Sequence, residues 1–176
     1  MDDRADVRGA VRLDYESSAR HDDRLELRVW LRLLTCASMI ERRVRQRLRG
    51  RFGITLPRFD LMAQLDRAPE GLTMGALSRR LMVTNGNVTG LIERMASEGV
   101  VERAPAPQDR RVQVVRLTRA GKAAFDAITP DHGDWIEEMT RELSRKDLAD
   151  LYAILARLKH AVEHAEKNNA AQAEVE

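Results

Sequence analysis

The residues best suited to chemistry lie between Thr84 and Arg94, where the chain reads TNGNVTGLIER. Thr84, Asn85, Asn87 and Thr89 supply amide and hydroxyl groups, Gly86 and Gly90 keep the surface between them low, and Arg94 adds a charge. Apolar Val88, Leu91, Ile92 and Met95 recur at helical spacing, so the polar set occupies the opposite face of one helix. None of these groups is a nucleophile paired with a base, so their chemistry is recognition. Small neutral side chains let a helix axis approach a major-groove floor, where amides and hydroxyls read base edges and the helix N-terminus favours phosphate. A second cluster, Asp109-Arg110-Arg111, follows at a turn-back. An arginine on a stiff loop beside such a helix reaches the adjacent minor groove, and Asp109 is near enough in sequence to orient one guanidinium. Taken singly, these features also suit a Gly-weakened surface helix and a solvated charged tip. Their order along the chain favours recognition.

The elements that must position them are legible on either side. Thr73 is an N-cap for a short helix with Met74, Leu77 and Leu81 inward and Arg79 and Arg80 outward. A turn at Met82-Val83 leads to the second helix, capped by Thr84 and ended by Gly99. Val100 to Arg103 reads as a strand, Ala104 to Gln108 with Pro105 and Pro107 as a stiff loop, and Val112 to Leu117 as a returning strand with Val112, Val114 and Leu117 apolar. Two helices, a tight turn and a hairpin make a winged helix-turn-helix. The fold class expected is therefore mainly α with a small β-hairpin wing.

Upstream, a helix from about Leu25 carries Trp30, Leu33, Leu34, Ala37, Ile40, Val44 and Leu48 on one stripe, and Gly50 to Ile54 is expected to break it. Thr55 to Leu65 forms the next, with Pro57 in its first turn and Leu56, Phe59, Met62 and Leu65 inward. Downstream, Thr118 caps a long helix that Pro130 and Gly133 should interrupt, with Thr129 as a new cap. Ser144-Arg-Lys-Asp resembles a capping box for a last helix burying Leu148, Leu151, Tyr152, Leu155, Leu158 and Val162. The organisation expected is an N-terminal extension over 1–27, one domain over 28–166 with its reader at 55–118, dimerisation helices at 28–50 and 119–166, and a frayed tail over 167–176. The terminal helices carry more apolar stripe than one reader can cover, which points to an isologous dimer.

Totals narrow the classes. The net charge of +2 divides unevenly: Thr73 to Arg119 holds eight arginines and no lysine against four acids, leaving the remainder at −2. The positive field is local to the reader, as phosphate binding requires. No run of 18 apolar residues exists and the amino end is too charged for a signal peptide, so a cytoplasmic protein without membrane contact is expected. One cysteine excludes an internal disulfide framework. With no phosphate-cradling glycine loop, no nucleophile–base pair and no third ligand for His160 and His164, neither an enzyme nor a metal or cofactor is expected.

From Leu56-Pro57-Arg58-Phe59-Asp60 through Gly121, the ordered pieces GLTMGALSRRLMVTNGNVTGLIERM, EGVVER, DRR and VRLTRAG resemble the MarR family of bacterial transcriptional regulators. The resemblance implies an intertwined homodimer on a near-palindromic double-stranded DNA operator, contacted by Arg79, Thr84, Asn85, Asn87, Thr89, Arg94, Asp109, Arg110 and Arg111. It implies a repressor released by a small molecule lodged where the dimer helices meet the reader, a crevice assigned to Trp30, Leu34, Phe59, Met62, Phe125 and His132. Similarity to a branch linked to aromatic-acid catabolism suggests an aromatic acid or its acyl-CoA thioester, with Arg42 to Arg51 serving the CoA phosphates. Asp60 and Arg103 match two positions of urate-responsive members, whose further arginine falls near Leu91. Two alternatives stand: redox sensing through Cys36, although the family's sensing cysteine falls near Leu31, and a winged-helix protein-interaction module that binds no DNA.

Overall fold

The structure, a computed structural model, describes residues 24–106, 109 and 111–173. Most of the expected N-terminal extension, together with Pro107, Gln108 and Arg110, lies outside the described residues. Two compact units divide at Gly133/Asp134.

In the first unit, α1 (Leu25–Arg47) passes directly into a π-helical turn, Leu48–Phe52. The sequence places the break over Gly50 to Ile54, and the chain keeps winding through Gly50 as far as Phe52, with Leu48 fully buried beneath the turn. The stop is Gly53, whose φ of +65° is the left-handed conformation that glycine adopts without cost to a Cβ. Thr55 then opens α2 (Leu56–Asp66), with Pro57 in its first turn. Phe59, Leu61, Met62 and Leu65 are all buried, so α2 is covered on more than one side. A one-stripe reading finds Phe59, Met62 and Leu65 and misses Leu61.

The Thr73 hydroxyl accepts from the Ala76 amide at 3.2 Å and starts α3 (Met74–Leu81). After the turn comes α4 (Asn85–Ser97), with Val88, Ile92 and Met95 at most 1% exposed. Thr84 occupies the N-cap position in extended geometry, yet its hydroxyl makes no capping bond; only its carbonyl serves the helix, accepting from Val88 N at 3.2 Å. Gly99 (φ +72°) turns the chain into an antiparallel pair, β1 (Val101–Pro105) and β2 (Gln113–Leu117), in the register Val101 to Leu117. Val112 stays outside the strand and exposed, while neighbouring Val114 and Val115 are both buried. Simple alternation fails because Leu72 adds a third backbone segment, exchanging hydrogen bonds of 2.9 and 2.8 Å with Val115.

Thr118 ties the wing to the next helix, its hydroxyl donating to Gly99 O at 2.6 Å and accepting from Gly121 N at 2.9 Å. That helix, α5 (Arg119–Thr140), runs through Pro130 without interruption. Thr129 is not a new cap: its hydroxyl donates to Phe125 O at 2.9 Å and closes the turn before the proline. Proline removes one hydrogen bond, and on an exposed face that loss does not end the helix.

The second unit, from Asp134, contains the end of α5 and the whole of α6 (Arg145–Ala173). The capping box forms: Asp147 N donates to Ser144 Oγ at 3.1 Å while Ser144 N donates to Asp147 Oδ2 at 3.0 Å. The Ser144 hydroxyl, which donates to Asp147 Oδ2 at 2.6 Å, and then the Ser144 amide hold the Asp147 carboxyl below its ordinary range. The helix continues to Ala173, past Glu166 where the tail was expected to fray. Within the chain its apolar stripe stays open. Leu151, Leu155 and Leu158 are about 40% exposed, Val162 51% and Tyr152 79%.

Candidate nucleic-acid interface

The outer face of α4 is presented by its own buried stripe. With Val88, Ile92 and Met95 turned inward, Gly86, Asn87 and Arg94 are exposed, and Thr89 and Gly90 are half-covered. Asn85 is the first residue of the helix. The face divides in two. Thr89 lines a small groove with Met74, Arg103, Gln113, Val114 and Val115, whereas Asn87 and Arg94 border a much larger cavity on the other side.

The wing tip has the internal order expected of it. Asp109 Oδ1 accepts from both the Arg111 backbone amide at 2.9 Å and Arg111 Nε at 3.2 Å, so the carboxylate aims this guanidinium while leaving it 91% exposed. Arg116 and Arg103 are tied inside the fold, to Glu102 at 2.6 Å and Glu93 at 4.0 Å. Exposed Arg79 and Arg80 at the end of α3 carry no ion pair among the described residues. Among the described residues, Arg79, Arg80, Arg94 and Arg111 are therefore the arginines of this surface not tied to another element of the fold. Arg110 lies outside the described residues.

The cavity has a volume of about 600 Å³. Its walls come from α1 and the π-helical turn (Glu41, Arg45, Arg49), from Thr55 and α2 (Leu56, Pro57, Asp60), from Leu81 and Val83, and from α4 (Asn87, Val88, Leu91, Arg94). The crevice assigned from the sequence is not this one. Phe59, Met62 and Phe125 are at most 7% exposed and belong to the packed interior, with Phe59 ring centroids 5.5 Å from Phe125 and 4.7 Å from His132. Burial pushes the His132 imidazole below its usual value. Trp30 is 56% exposed and Leu34 half-buried, and none of the six lines the cavity. Of the basic run Arg42 to Arg51, Arg45 and Arg49 face the cavity, while Arg51 pairs with Asp131 at 3.0 Å. Asp60 and Leu91 line the cavity and Arg103 does not, so the two urate-like positions are not brought together there.

Asp60 is the cavity's unusual acid. Burial raises its carboxyl above the ordinary range, the Glu41 charge raises it further, and Arg45 partly opposes both. Sequence reasoning missed the cavity role of Glu41, Asp60 and Leu91, since three separate elements supply them. It also missed a clamp between α2 and α4, in which Arg58 Nη1 donates to Glu98 Oε1 at 3.0 Å and Nη2 donates to Oε2. Cys36 is exposed on α1. No helix among the described residues is long and apolar enough to cross a membrane.

A three-helix reader with a two-stranded wing and a free cationic face defines the class of winged helix-turn-helix transcriptional regulators. A family model described as MarR family matches residues 52–112. The crystal structure of a MarR family transcriptional regulator from Silicibacter pomeroyi is 34% identical, covers 78% of this chain and 94% of its own, and superposes with a TM-score of 0.67. The chain belongs to the MarR family of DNA-binding transcriptional regulators, and is not an enzyme. The transcriptional activatory protein BadR of Rhodopseudomonas palustris is 32% identical over 111 residues, which span 61% of this chain and 63% of BadR, less than two thirds of that relative. Streptococcus pneumoniae FabT, solved in complex with DNA, is 26% identical, covers 79% of this chain and 98% of its own, and has a TM-score of 0.65.

Proposed function

We propose that two copies of this chain read a near-palindromic operator, α4 in the major groove and the wing in the adjacent minor groove, and that an aromatic acid in the cavity releases them. The observation that carries this is the double membership of Asn87 and Arg94, which stand on the exposed face of α4 and in the cavity wall at once. A molecule filling the cavity must act on the reading helix. Support for the second copy comes from the uncovered stripe of α6 and from Leu25, Val29 and Trp30 on α1. Two readers related by a twofold axis meet half-sites ~34–36 Å apart or a multiple of that.

The cavity suits an apolar body with one negative charge. Leu56, Pro57, Leu81, Val83 and Leu91 would hold a ring, and Arg45, Arg49 and Arg94 outnumber Glu41 and Asp60 by one charge. Its volume falls in the range of small-molecule sites. The free acid is favoured over its CoA thioester because the arginines are on the cavity wall itself. A ligand that prefers the DNA-incompetent state about 100-fold lowers operator affinity by ~2.7 kcal/mol. Repression relieved by the ligand is the regulatory sense we assign.

Selection of duplexes from a random pool tests the reading. On the recovered site, Asn87→Ala should cost ~1–3 kcal/mol at some base pairs only, while Arg111→Ala weakens binding evenly and flattens the salt slope by about one unit. Equal effects of both variants on every sequence would overturn the assignment. Benzoate, titrated into the protein–duplex complex, tests the ligand class, and an unchanged affinity removes it.

A further inference from the structure

We propose that Arg58 and Glu98 form the clamp that fixes the angle of α4, and so sets the half-site spacing the dimer accepts. This rests on the DNA-reading dimer described above. Glu98 is the C-cap residue of α4, and Gly99 immediately turns the chain into β1. One guanidinium therefore holds the end of the reading helix and the start of the wing together. Arg58 rises from α2 between Pro57 and Asp60, which both line the cavity.

Three observations separate this pair from an ordinary surface ion pair. A glutamate at a helix C-terminus opposes the helix dipole, which favours cations there, so Glu98 is not placed to stabilise α4. Its carboxyl is nonetheless held below the ordinary range, first by the hydrogen bond from Arg58. The Arg58 side chain is only 23% exposed, and its Nε is buried without a hydrogen-bond partner among the described residues, so the group has given up solvent for this one carboxylate. The fork also adds a directional tie that apolar packing does not supply. Val88, Ile92 and Met95 hold the helix by non-directional apolar contact, and the cavity leaves Asn87, Leu91 and Arg94 open on one side. A bidentate pair is directional.

The lever is long enough to matter. From Glu98 to Asn87 the helix spans about 16 Å at ~1.5 Å per residue, so a rotation of roughly 10° about the clamp moves Asn87 by about 3 Å. That is close to the ~3.4 Å rise of one base pair.

The test uses the duplex that the full-length protein selects from a random pool, with one base pair inserted or removed at its centre. Each change displaces the half-sites by ~3.4 Å and about 35°. The wild-type protein should lose roughly tenfold or more in affinity, the scale of one mismatched base pair. Arg58→Gln should lose less than about threefold on the altered duplexes, and Glu98→Gln and the double variant should show the same relaxed tolerance, because the two residues act as one unit. Circular dichroism establishes that each variant is folded, and Glu98→Gln suffices should Arg58→Gln not fold. Discrimination retained in a folded variant overturns the clamp, as does an equal loss on all three duplexes, which a merely structural role produces. A wild-type protein indifferent to spacing overturns the dimeric reader and the clamp with it, so the two failures are distinguishable.

Discussion

In α4, Val88, Ile92 and Met95 keep at most 1% of their surface, whereas in α6 Tyr152, Ile154 and Val162 keep 79%, 58% and 51%. Both helices carry apolar residues at the same three- and four-residue spacing, and periodicity alone does not distinguish them. The difference is in what covers them. Around α4 the cover comes from its own chain, through α3 and β1, whose Leu77 and Val101 are themselves almost fully buried. Among the described residues the stripe of α6 has no such cover in its unit, so apolar surface worth ~1.5–3 kcal/mol for each fully buried leucine stays open. The reader is covered by its own chain, whereas α6 is left open, and in the proposed dimer it is the half-interface.

That contrast can be broken from either side. The largest effect is expected inside the reader, at Gly121, where an added Cβ would lie 1.9 Å from Val100 O. That carbonyl is fixed by the Thr118 amide at 3.1 Å and cannot retreat. Gly121→Ala should cost at least ~3 kcal/mol in urea unfolding, and a variant as stable as the parent would remove the close approach of α5 to the hairpin. Next in size is the removal of the half-interface. Leu155→Glu with Leu158→Glu should leave the first unit folded, convert a dimer into a 20.0 kDa monomer in sedimentation, and lower operator affinity by roughly 100-fold through loss of the second attachment. A parent chain that is already monomeric would sink the half-interface.

Sequence alone revealed what a few neighbouring residues decide. Thr73, Thr118 and Ser144 were legible as caps because each bonds an amide or carboxylate three residues away. The reader, the wing and the Asp109–Arg111 pairing were legible for the same reason. What failed depended on distance or on compensation. Arg58 and Glu98 are forty residues apart, and nothing in either neighbourhood marks them as partners. The cavity needed residues from all of the first four α-helices to converge, so aromatic residues that belong to the packed interior were assigned to it instead. Pro130 looked like a helix end because its neighbour's compensating bond to Phe125 is invisible in a string of letters. Thr84 looked like a side-chain cap because its type permits one, although only its carbonyl takes part.

A smaller effect sharpens the contrast within the cavity. The Asp60 carboxyl is raised by burial and by Glu41, so it binds its proton more tightly folded than unfolded. Its stabilising contribution is then complete below the unfolded value and is lost as pH rises through the folded one. Asp60→Asn should raise stability at pH 7, by no more than about 1 kcal/mol because the group is half-exposed, and should give no gain in acid below the unfolded value. Urea midpoints at both pH values check the sign, and a variant equally stabilised at both would point to packing instead of charge.

The smallest expected effect falls at the turn between α3 and α4, where Met82 adopts φ 53° and ψ 38°. It is the non-glycine residue with positive φ among those described, and 92% of it is exposed. A side chain in the left-handed region costs ~1–2 kcal/mol, and a thioether in solvent returns nothing through packing. The conformation is imposed by its surroundings, since Met82 N and Val83 N donate to Arg79 O and Ser78 O at 3.3 and 3.2 Å and the Ser78 hydroxyl donates to Val83 O. Glycine relieves the steric cost but adds ~0.5–1 kcal/mol of unfolded-chain entropy, so Met82→Gly should stabilise the reader by about 0.5–1 kcal/mol. Because the change lies far in sequence from α6, the urea midpoint of the first unit should rise while the dimer dissociation constant stays fixed. If both move together, reader and half-interface are energetically coupled, and the division drawn between them fails.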